Sequence, residues 1–557
     1  MSERVETAPL TLGELLEGIV TLAPEQSPGL DVRIADLTLD SRSVRPGSLF
    51  LALPGHARHG LGFTAEAVAR GAIAVLWDPA NEAPAAGPGA DAGPAAVTAT
   101  PSMPPMLPAD VFGAAVPHLS QLLGRIADRF FGHPSQHLRI CGVTVTNGKT
   151  TCAYLLAQCL ERLGAASAYI GTLGIGRVGA LAPATHTTPD VVSVHRALAE
   201  LRGAGITEVA MEVSSHALAQ DRIAAVRFFA AAFTNLTRDH LDYHGTMGAY
   251  AAAKARLFEL PKLQQAIVNV GDTEGTAIAA RLTARTDAAA LPRLTAVSMG
   301  AQPVMRAPRR LQATVVRADA DGLTIDFDVT LDHGAALETG AAPDSQAMTA
   351  ARAPASPLRL RSPLLGAFNA ENLAIVLGCL LALDVPAAAA VAALGHCTAA
   401  PGRMEVIRAR DAGKPLAVVD YAHTPDALAK ALTALRAHCR GTLWCVFGCG
   451  GDRDPGKRPL MGRIADDLAD RIIVTDDNPR GEDPGAITLG IAGGITAHRA
   501  EVIHDRGAAI RMALAAAAPA DVVLIAGKGH EDYQIYGSER RAFSDRLEAM
   551  RELGVAA

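Results

Sequence analysis

Gly142-Val-Thr-Val-Thr-Asn-Gly-Lys-Thr-Thr151 is the stretch on which the fold turns. Ahead of it, Leu138-Arg-Ile-Cys-Gly-Val-Thr144 reads as a short buried strand. Behind it, Cys152, Leu155, Leu156, Cys159, Leu160 and Leu163 recur at helical spacing, and Gly164 supplies a stop. Strand, glycine-containing turn and helix N-terminus form a phosphate cradle, because unpaired N–H groups and the positive end of the helix dipole face the anion. Lys149 can reach terminal phosphates, and the Thr150 hydroxyl can ligate Mg²⁺. Gly-Lys-Thr alone arises by chance, and an ordinary strand-to-helix turn is the competing reading. Strand, turn and helix together outweigh it. Five residues rather than four separate Gly142 from Gly148, so the loop is a variant of the Walker spacing.

The chain has 557 residues, too many for one core, and its length predicts about three or four domains. Hydrophobic content of 49% with 19% charged residues describes a soluble globular protein. A net charge of −6 argues against a general nucleic-acid binder. No apolar run reaches about 18 residues, so no membrane insertion is expected. Met1-Ser-Glu-Arg-Val-Glu-Thr7 lacks a basic segment leading into an apolar one, which predicts a cytoplasmic protein. The eight cysteines stand in apolar strand or helix contexts and read as small buried hydrophobes, not as a disulfide framework. Cys445 and Cys449 have no further ligands at metal-site spacing.

Alternation of strand, loop and helix predicts an α/β protein of three domains: a small N-terminal α/β domain over 1–137, a central P-loop-type domain over 138–398, and a Rossmann-like α/β domain over 399–557. The central sheet is expected to be mostly parallel with helices on both faces. Two Ala-, Pro- and Gly-rich insertions, 81–110 and 331–357, read as surface segments without a function of their own. In the first domain a helix starts near Leu10, Asp31 to Leu39 alternates like a strand, and Asp40-Ser-Arg-Ser-Val-Arg-Pro-Gly47 is a polar turn into a buried strand. In the last, four strands end at Tyr421-Ala-His-Thr-Pro-Asp426, Gly448-Cys-Gly-Gly-Asp-Arg-Asp454, Asp476-Asp-Asn-Pro-Arg480 and Gly527-Lys-Gly-His-Glu531. Thr424 suits a helix N-cap and Pro425 the first helical position. Open α/β sheets place ligands outside the carboxyl ends of such strands.

A phosphate loop followed by an acidic strand end suits ATP and a metal. Glu212 closes Glu208-Val-Ala-Met-Glu212, where a carboxylate can complete a Mg²⁺ site with Thr150; a helix-capping Glu is an equal reading of that residue alone. His240, flanked by Asp239 and Asp242, suits a second metal or is a surface-loop histidine. Gly448-Cys-Gly-Gly451 invites a weak dinucleotide reading, because Arg453 stands where a third glycine belongs. In Asp476-Asp-Asn-Pro-Arg480 the proline stiffens the turn and the Arg480 fork suits a carboxylate, with Arg453 as a second cation.

Together these motifs resemble the Mur ligases of peptidoglycan synthesis. The likeness is carried by Thr146-Asn-Gly-Lys-Thr-Thr151, Met211-Glu-Val-Ser-Ser-His216, Phe233-Thr-Asn-Leu-Thr-Arg-Asp-His-Leu-Asp-Tyr-His-Gly245, Gly402-Arg-Met-Glu405, Asp420-Tyr-Ala-His-Thr-Pro425, Asp477-Asn-Pro-Arg480 and Gly527-Lys-Gly-His-Glu531, in the family's order. It is greatest to members that add meso-2,6-diaminopimelate to UDP-N-acetylmuramoyl-L-alanyl-D-glutamate. The resemblance implies ATP-dependent amide ligation through an acyl phosphate, in a monomeric cytoplasmic enzyme. It implies an ATP site at Val145, Thr146, Asn147, Gly148, Lys149, Thr150, Thr151, Asn235, Asn369, Asn372, Arg403, Asp420 and His423. Since Arg403 and His423 belong to the last domain, the resemblance implies that ATP is enclosed when that domain closes. Catalysis falls to Lys149, Glu212, His240 and Lys254. Two Mg²⁺ are implied, held by Thr150, Glu212, His240 and Lys254, the last as a carbamate formed with CO₂.

By the same likeness the uridine end of the substrate meets Leu39, Ser41, His56, Ala57 and Arg58. Its muramyl-dipeptide end meets Thr187, Thr188, Ser214, Gln220 and Arg222. Diaminopimelate meets Arg453, Asp477, Asn478, Pro479, Arg480, Gly527 and Glu531, with Arg480 on its distal carboxylate and Glu531 on its distal ammonium. An L-lysine-adding relative would leave a buried Arg480 unpaired, which costs several kcal/mol, roughly. The related folylpolyglutamate synthetases are a second rival, against which the Asp477–Arg480 turn and the first domain argue; an inactive nucleotide-binding regulator is a third, against which Lys149, Glu212, His240 and Lys254 argue. Two residues depart from the family pattern. Val145 stands where glycine is usual, and a β-branched residue there resists positive φ and crowds the phosphate. His186 replaces the usual asparagine before Thr187.

Overall fold

The computed structural model describes residues 10–22, 29–55, 58–79, 106–284, 291–300, 307–319, 321–331, 358–410, 413–497 and 500–556. Most of both low-complexity insertions, and His56 and Ala57 of the expected uridine contacts, lie outside the described residues. The described chain is α/β and divides into two compact units, one of 1–149 with 160–294, the other of 150–159 with 295–557.

The first unit holds two sheets. The smaller is parallel, in the order Asp36–Thr38, Ser48–Ala52, Ala72–Trp77, Phe112–Ala115. Leu12, Leu15, Leu37, Leu49, Leu76, Leu119 and Ile126 form its core. Thr11 opens the expected first helix with a capping box, its hydroxyl accepting from Glu14 N (3.2 Å) while the Glu14 carboxylate accepts from Thr11 N (2.8 Å). The strand expected over 31–39 shrinks to Asp36–Thr38, because the segment before it bonds back to the chain start, Ile34 N to Leu10 O at 2.9 Å.

The larger sheet contributes seven neighbouring strands to this unit: Gln265–Asn269, Ala230–Phe233, Arg139–Val143, Glu208–Glu212, Ser167–Gly171, Gly174–Arg177 and Ala180–Ala182. The first five run parallel and the last two turn back as antiparallel ribbons. The strand feeding the phosphate loop thus lies between the strands ending at Glu212 and at Phe233. Both neighbours run in its direction, so three strand-end loops share one edge, the place where such sheets bind ligands. Gly142 lies where a Cβ would come within 2.8 Å of the Phe228 ring, so a glycine there lets the sheet be covered closely.

In the second unit Arg309–Asp319 and Gly322–Leu331 form an antiparallel hairpin paired on to Leu358–Ser362. The helix Phe368–Ala382 follows, nearly all of it buried. The six-stranded sheet of this unit runs Glu405–Arg408, Leu416–Asp420, Val522–Ala526, Leu443–Phe447, Arg471–Val474, Ala500–Val502, parallel except at Glu405–Arg408. Thr424 caps and Pro425 opens the helix Pro425–Arg436, as expected. The four loops picked out in the sequence all leave the carboxyl ends of these parallel strands.

Candidate active site

Gly148 takes φ +103°, a conformation that disfavours any side chain, and the helix Lys149–Arg162 begins directly after it. Val145 does not share this conformation: it keeps an ordinary φ, and its side chain is fully buried. The positive φ that a β-branched residue would resist is therefore not required of Val145, and its side chain packs inward. What Val145 offers the loop is its carbonyl, which accepts from Lys149 Nζ and from Lys254 Nζ, each at 2.8 Å. The loop is braced from the side as well. Asn147 N donates to Asn235 Oδ1 at 3.1 Å, Asn235 Nδ2 returns a bond to Asn147 O at 3.0 Å, and Thr237 N donates to Thr146 Oγ1 at 3.0 Å.

Glu212 ends its strand and is fully buried, while Ser214 provides the next helix cap, so Glu212 is not a capping residue. Its Oε1 accepts from the Tyr169 hydroxyl and from Thr172 N (3.0 Å). Sequence reasoning passed over both donors. The signal was Gly171, where any Cβ would run into Glu212 and Tyr169. The expected dipeptide contacts gather beside it. Thr188 Oγ1 donates to Glu212 O (2.9 Å) and accepts from Ser214 N (3.1 Å); Arg222 donates to Thr188 O (2.9 Å) and to Gln220 Oε1 (2.9 and 2.6 Å). Thr187 meets Thr172 hydroxyl to hydroxyl at 3.0 Å. In the smaller sheet Ser41 is buried and donates to Glu66 Oε2 at 2.7 Å, Leu39 is half-buried, and Arg58 is exposed.

His240 takes φ +50° and stacks edge-on to His216, ring centroids 4.8 Å apart. Burial, together with the charges of Lys149 and Lys254, holds the His240 imidazole below its ordinary range against the pull of Asp239. A neutral ring is the form that can ligate a cation. Lys254 has no exposed surface. Burial and the Lys149 charge hold its amine well below the usual lysine range, with Asp239 opposing. A neutral amine is the form that reacts with CO₂, and the burial of Lys254 favours that form over the ammonium. Among the described residues no three His, Cys, Asp or Glu side chains converge as a metal cage. Mg²⁺ generally takes one or two carboxylates, waters and substrate phosphates, and Glu212 with a carbamylated Lys254 fits that donor set.

In the second unit Asn369 and Asn372 lie on one helix and bond to each other (2.9 Å), and Asn369 Nδ2 reaches Leu365 O (2.7 Å). Arg403 lies over the Tyr421 ring at 4.7 Å, and its buried Nε has no hydrogen-bond partner among the described residues. Asp420 accepts from Met404 N (2.7 Å), and desolvation pushes its carboxyl up although Arg403 and backbone N–H groups pull it down. His423 follows on the same loop, its Nδ1 2.8 Å from Tyr421 O.

The turn over 476–480, expected to recognise the amino acid, is held by several hydrogen bonds. Arg480 takes φ +52°, donates its backbone N–H to Ile535 O (3.0 Å) and its Nη1 to Gly451 O (2.8 Å). Asn478 Nδ2 donates to Glu531 Oε2 (3.0 Å), while Asn478 Oδ1 accepts from Ile535 N (3.0 Å) and from Lys528 Nζ (3.1 Å). Gly527, at φ +116°, leaves room where a Cβ would fall 2.6 Å from Asp477 Oδ2. The glycines of Gly448-Cys-Gly-Gly451 have a packing reason that needs no dinucleotide. Side chains at 448 and 451 would strike Thr475 O and Pro479 O, so these glycines let the recognition turn pack against the neighbouring loop. Arg453 is exposed on that loop.

Two residues here were missed. Lys528 is fully buried inside a motif that was otherwise read. Arg506 is fully buried, forms a two-point pair with Asp545 (2.6 and 2.7 Å), and donates to Ala526 O (2.9 Å) and Asp476 O (3.4 Å), at the roots of two site loops. Nothing in the sequence around Arg506 signals its burial.

Known proteins match along the whole described site. The Mur ligase family catalytic domain matches residues 33–131, the Mur ligase middle domain 143–380, and the Mur ligase glutamate ligase domain 402–529. A UDP-N-acetylmuramoyl-L-alanyl-D-glutamate–2,6-diaminopimelate ligase of Xanthomonas campestris pv. campestris (strain 8004) is 46% identical over 533 residues, 96% of each chain. That of Pseudomonas aeruginosa PAO1 is 44% identical over 528 residues, 94% of this chain and 96% of its own. A solved structure of an enzyme of that name superposes with a TM-score of 0.65 at 32% identity, covering 98% of this chain and 99% of the other. With its three domains matched in order and nearly its full length aligned, this chain belongs to the Mur ligase family of ATP-dependent, amide-bond-forming ligases.

Proposed function

We propose that this protein adds meso-2,6-diaminopimelate to UDP-N-acetylmuramoyl-L-alanyl-D-glutamate in peptidoglycan precursor synthesis. The γ-phosphoryl group of ATP passes to the D-glutamyl carboxylate, giving an acyl phosphate and ADP. The diaminopimelate amine then attacks that carbonyl, forming the amide and releasing phosphate. Lys149 offsets charge on the transferring group, and Asn147, Asn235 and Gly148 hold the loop that receives it. Mg²⁺ at Glu212, His240, Thr150 and carbamylated Lys254 would neutralise phosphate charge further. Thr187, Thr188, Ser214, Gln220 and Arg222 bind the dipeptide end of the carrier, and Leu39, Ser41 and Arg58 its uridine end. Asn369, Asn372, Arg403, Asp420 and His423 serve the nucleotide.

The observation that carries the choice of amino acid is the recognition network. It presents an Arg480 guanidinium and a Glu531 carboxylate from neighbouring strand-end loops, with Asn478 between them: its Nδ2 donates to Glu531 Oε2 and its carbonyl accepts from Arg480 Nη1. One cation and one anion complement the distal carboxylate and ammonium of diaminopimelate; L-lysine has no carboxylate there. Phosphate release measured with each amino acid in turn tests this. Turnover with meso-diaminopimelate and little with L-lysine is expected, and the reverse preference would overturn it.

A further inference from the structure

Lys528 is among the largest fully buried side chains of the molecule, and the ligation chemistry gives it no direct part. A buried ammonium is costly unless its donors and its charge are both met. Here Nζ donates to Glu531 Oε2 (2.9 Å) and Asn478 Oδ1 (3.1 Å), with Asp477 Oδ1 at 3.9 Å and the Tyr533 ring centroid at 5.4 Å. Three of its four neighbours are residues of the amino-acid pocket or its turn.

Asn478 Oδ1 receives two N–H donors, Lys528 Nζ and Ile535 N, which fixes the amide so that its Nδ2 must point the other way. That Nδ2 reaches Glu531 Oε2, the same oxygen that Lys528 bonds. Among the described residues no side chain or N–H donates to Glu531 Oε1. One carboxylate oxygen is thus saturated from within and the other kept for an incoming donor. Lys528 carries one positive charge against the two carboxylates of Asp477 and Glu531, so the cluster keeps a net charge of −1 when all three are ionised. The nearby Arg506 charge is taken up by its pair with Asp545, so the negative charge left on the cluster is what a substrate ammonium would neutralise.

We infer that Lys528 is a positioning and specificity residue that aims Glu531 Oε1 at the distal ammonium of the amino-acid substrate. This rests on the function proposed above, since it deepens the amino-acid site of that reaction. Lys528 touches no reacting atom; it acts through Glu531 and Asn478.

The test is a double-mutant cycle with steady-state kinetics on the full chain. Lys528→Met keeps the length of the stem and removes the charge and all donors. Its KM for meso-diaminopimelate should rise about 10- to 100-fold, the range of a lost charge-assisted hydrogen bond. KM for ATP and for the UDP-linked dipeptide should stay within about twofold. Glu531→Gln should raise the same KM, and the Lys528→Met/Glu531→Gln double variant should be no worse than Glu531→Gln alone, because the two residues act as one unit. Fully additive effects, or an unchanged amino-acid KM in Lys528→Met, would overturn the inference while leaving the proposed reaction intact. A wild-type protein without diaminopimelate-dependent turnover would overturn both. Should Lys528→Met fail to fold alone, recovery of the fold in the double variant, where the abandoned carboxylate is gone, reports the same coupling; no recovery refutes it.

Discussion

Removing Arg506 tests whether the recognition loops are fixed from below. Arg506 and Asp545 are both fully buried and meet through two hydrogen bonds of 2.6 and 2.7 Å. The same guanidinium reaches Ala526 O and Asp476 O, the last residues before the 527–531 and 477–480 segments. Arg506→Met leaves the Asp545 carboxylate buried without a counter-charge, a defect that costs about 3–5 kcal/mol. Both carbonyls lose a donor at the same time. Urea unfolding followed by the fluorescence of Trp444, which shares a core with the helices that carry Arg506 and Asp545, should show that loss for the unit. Arg506→Met/Asp545→Leu should regain most of it, since an apolar pair replaces an ionic one of similar volume at little cost. Loosened loop roots should also raise the KM for diaminopimelate more than that for ATP. A single variant within about 1 kcal/mol of wild type, or a double variant no more stable than the single, refutes the reasoning.

Lys254 is deprotonated more readily when folded than when unfolded, because burial and Lys149 act against its charge. In CO₂-depleted buffer the unfolded chain therefore binds a proton that the folded chain does not, and stability should rise as pH climbs from the folded value towards the usual lysine range. Lys254→Met should flatten that slope, and equal slopes would contradict the assignment. With bicarbonate present, intact mass should be heavier by about 44 Da, lost in Lys254→Met, as expected of a carbamate. Val145→Gly should not lower the KM for ATP, since Val145 keeps an ordinary φ and contributes its carbonyl; a clear fall would restore the crowding explanation.

The phosphate loop was legible because strand, turn and helix are local and each leaves a periodicity in the sequence. The four loops of the last sheet were legible for a related reason: each follows a short apolar run and is rich in Gly, Pro, Asp and Asn. Glu212 and His240 could be placed on their elements but not given surroundings. Tyr169 lies 43 residues from the Glu212 carboxylate it bonds. Arg506 lies 39 residues from Asp545. Such pairings are set by strand order, which a single sequence does not record. The hairpin Arg309–Asp319/Gly322–Leu331 was passed over although Leu323, Ile325 and Phe327 alternate inward, because the surrounding chain reads as parallel α/β. The glycines at 448 and 451 misled in an instructive way. Their need for close approach was real, but the approaching group is the recognition turn and not a phosphate.

The central claim is that this chain joins diaminopimelate to the UDP-linked dipeptide with ATP. Phosphate release by the purified protein, with each substrate omitted in turn, tests it most directly. Release that needs ATP, UDP-N-acetylmuramoyl-L-alanyl-D-glutamate and meso-diaminopimelate together, and that falls away when L-lysine replaces diaminopimelate, is the predicted result. Equal or faster release with L-lysine, or none with either amino acid, would contradict it.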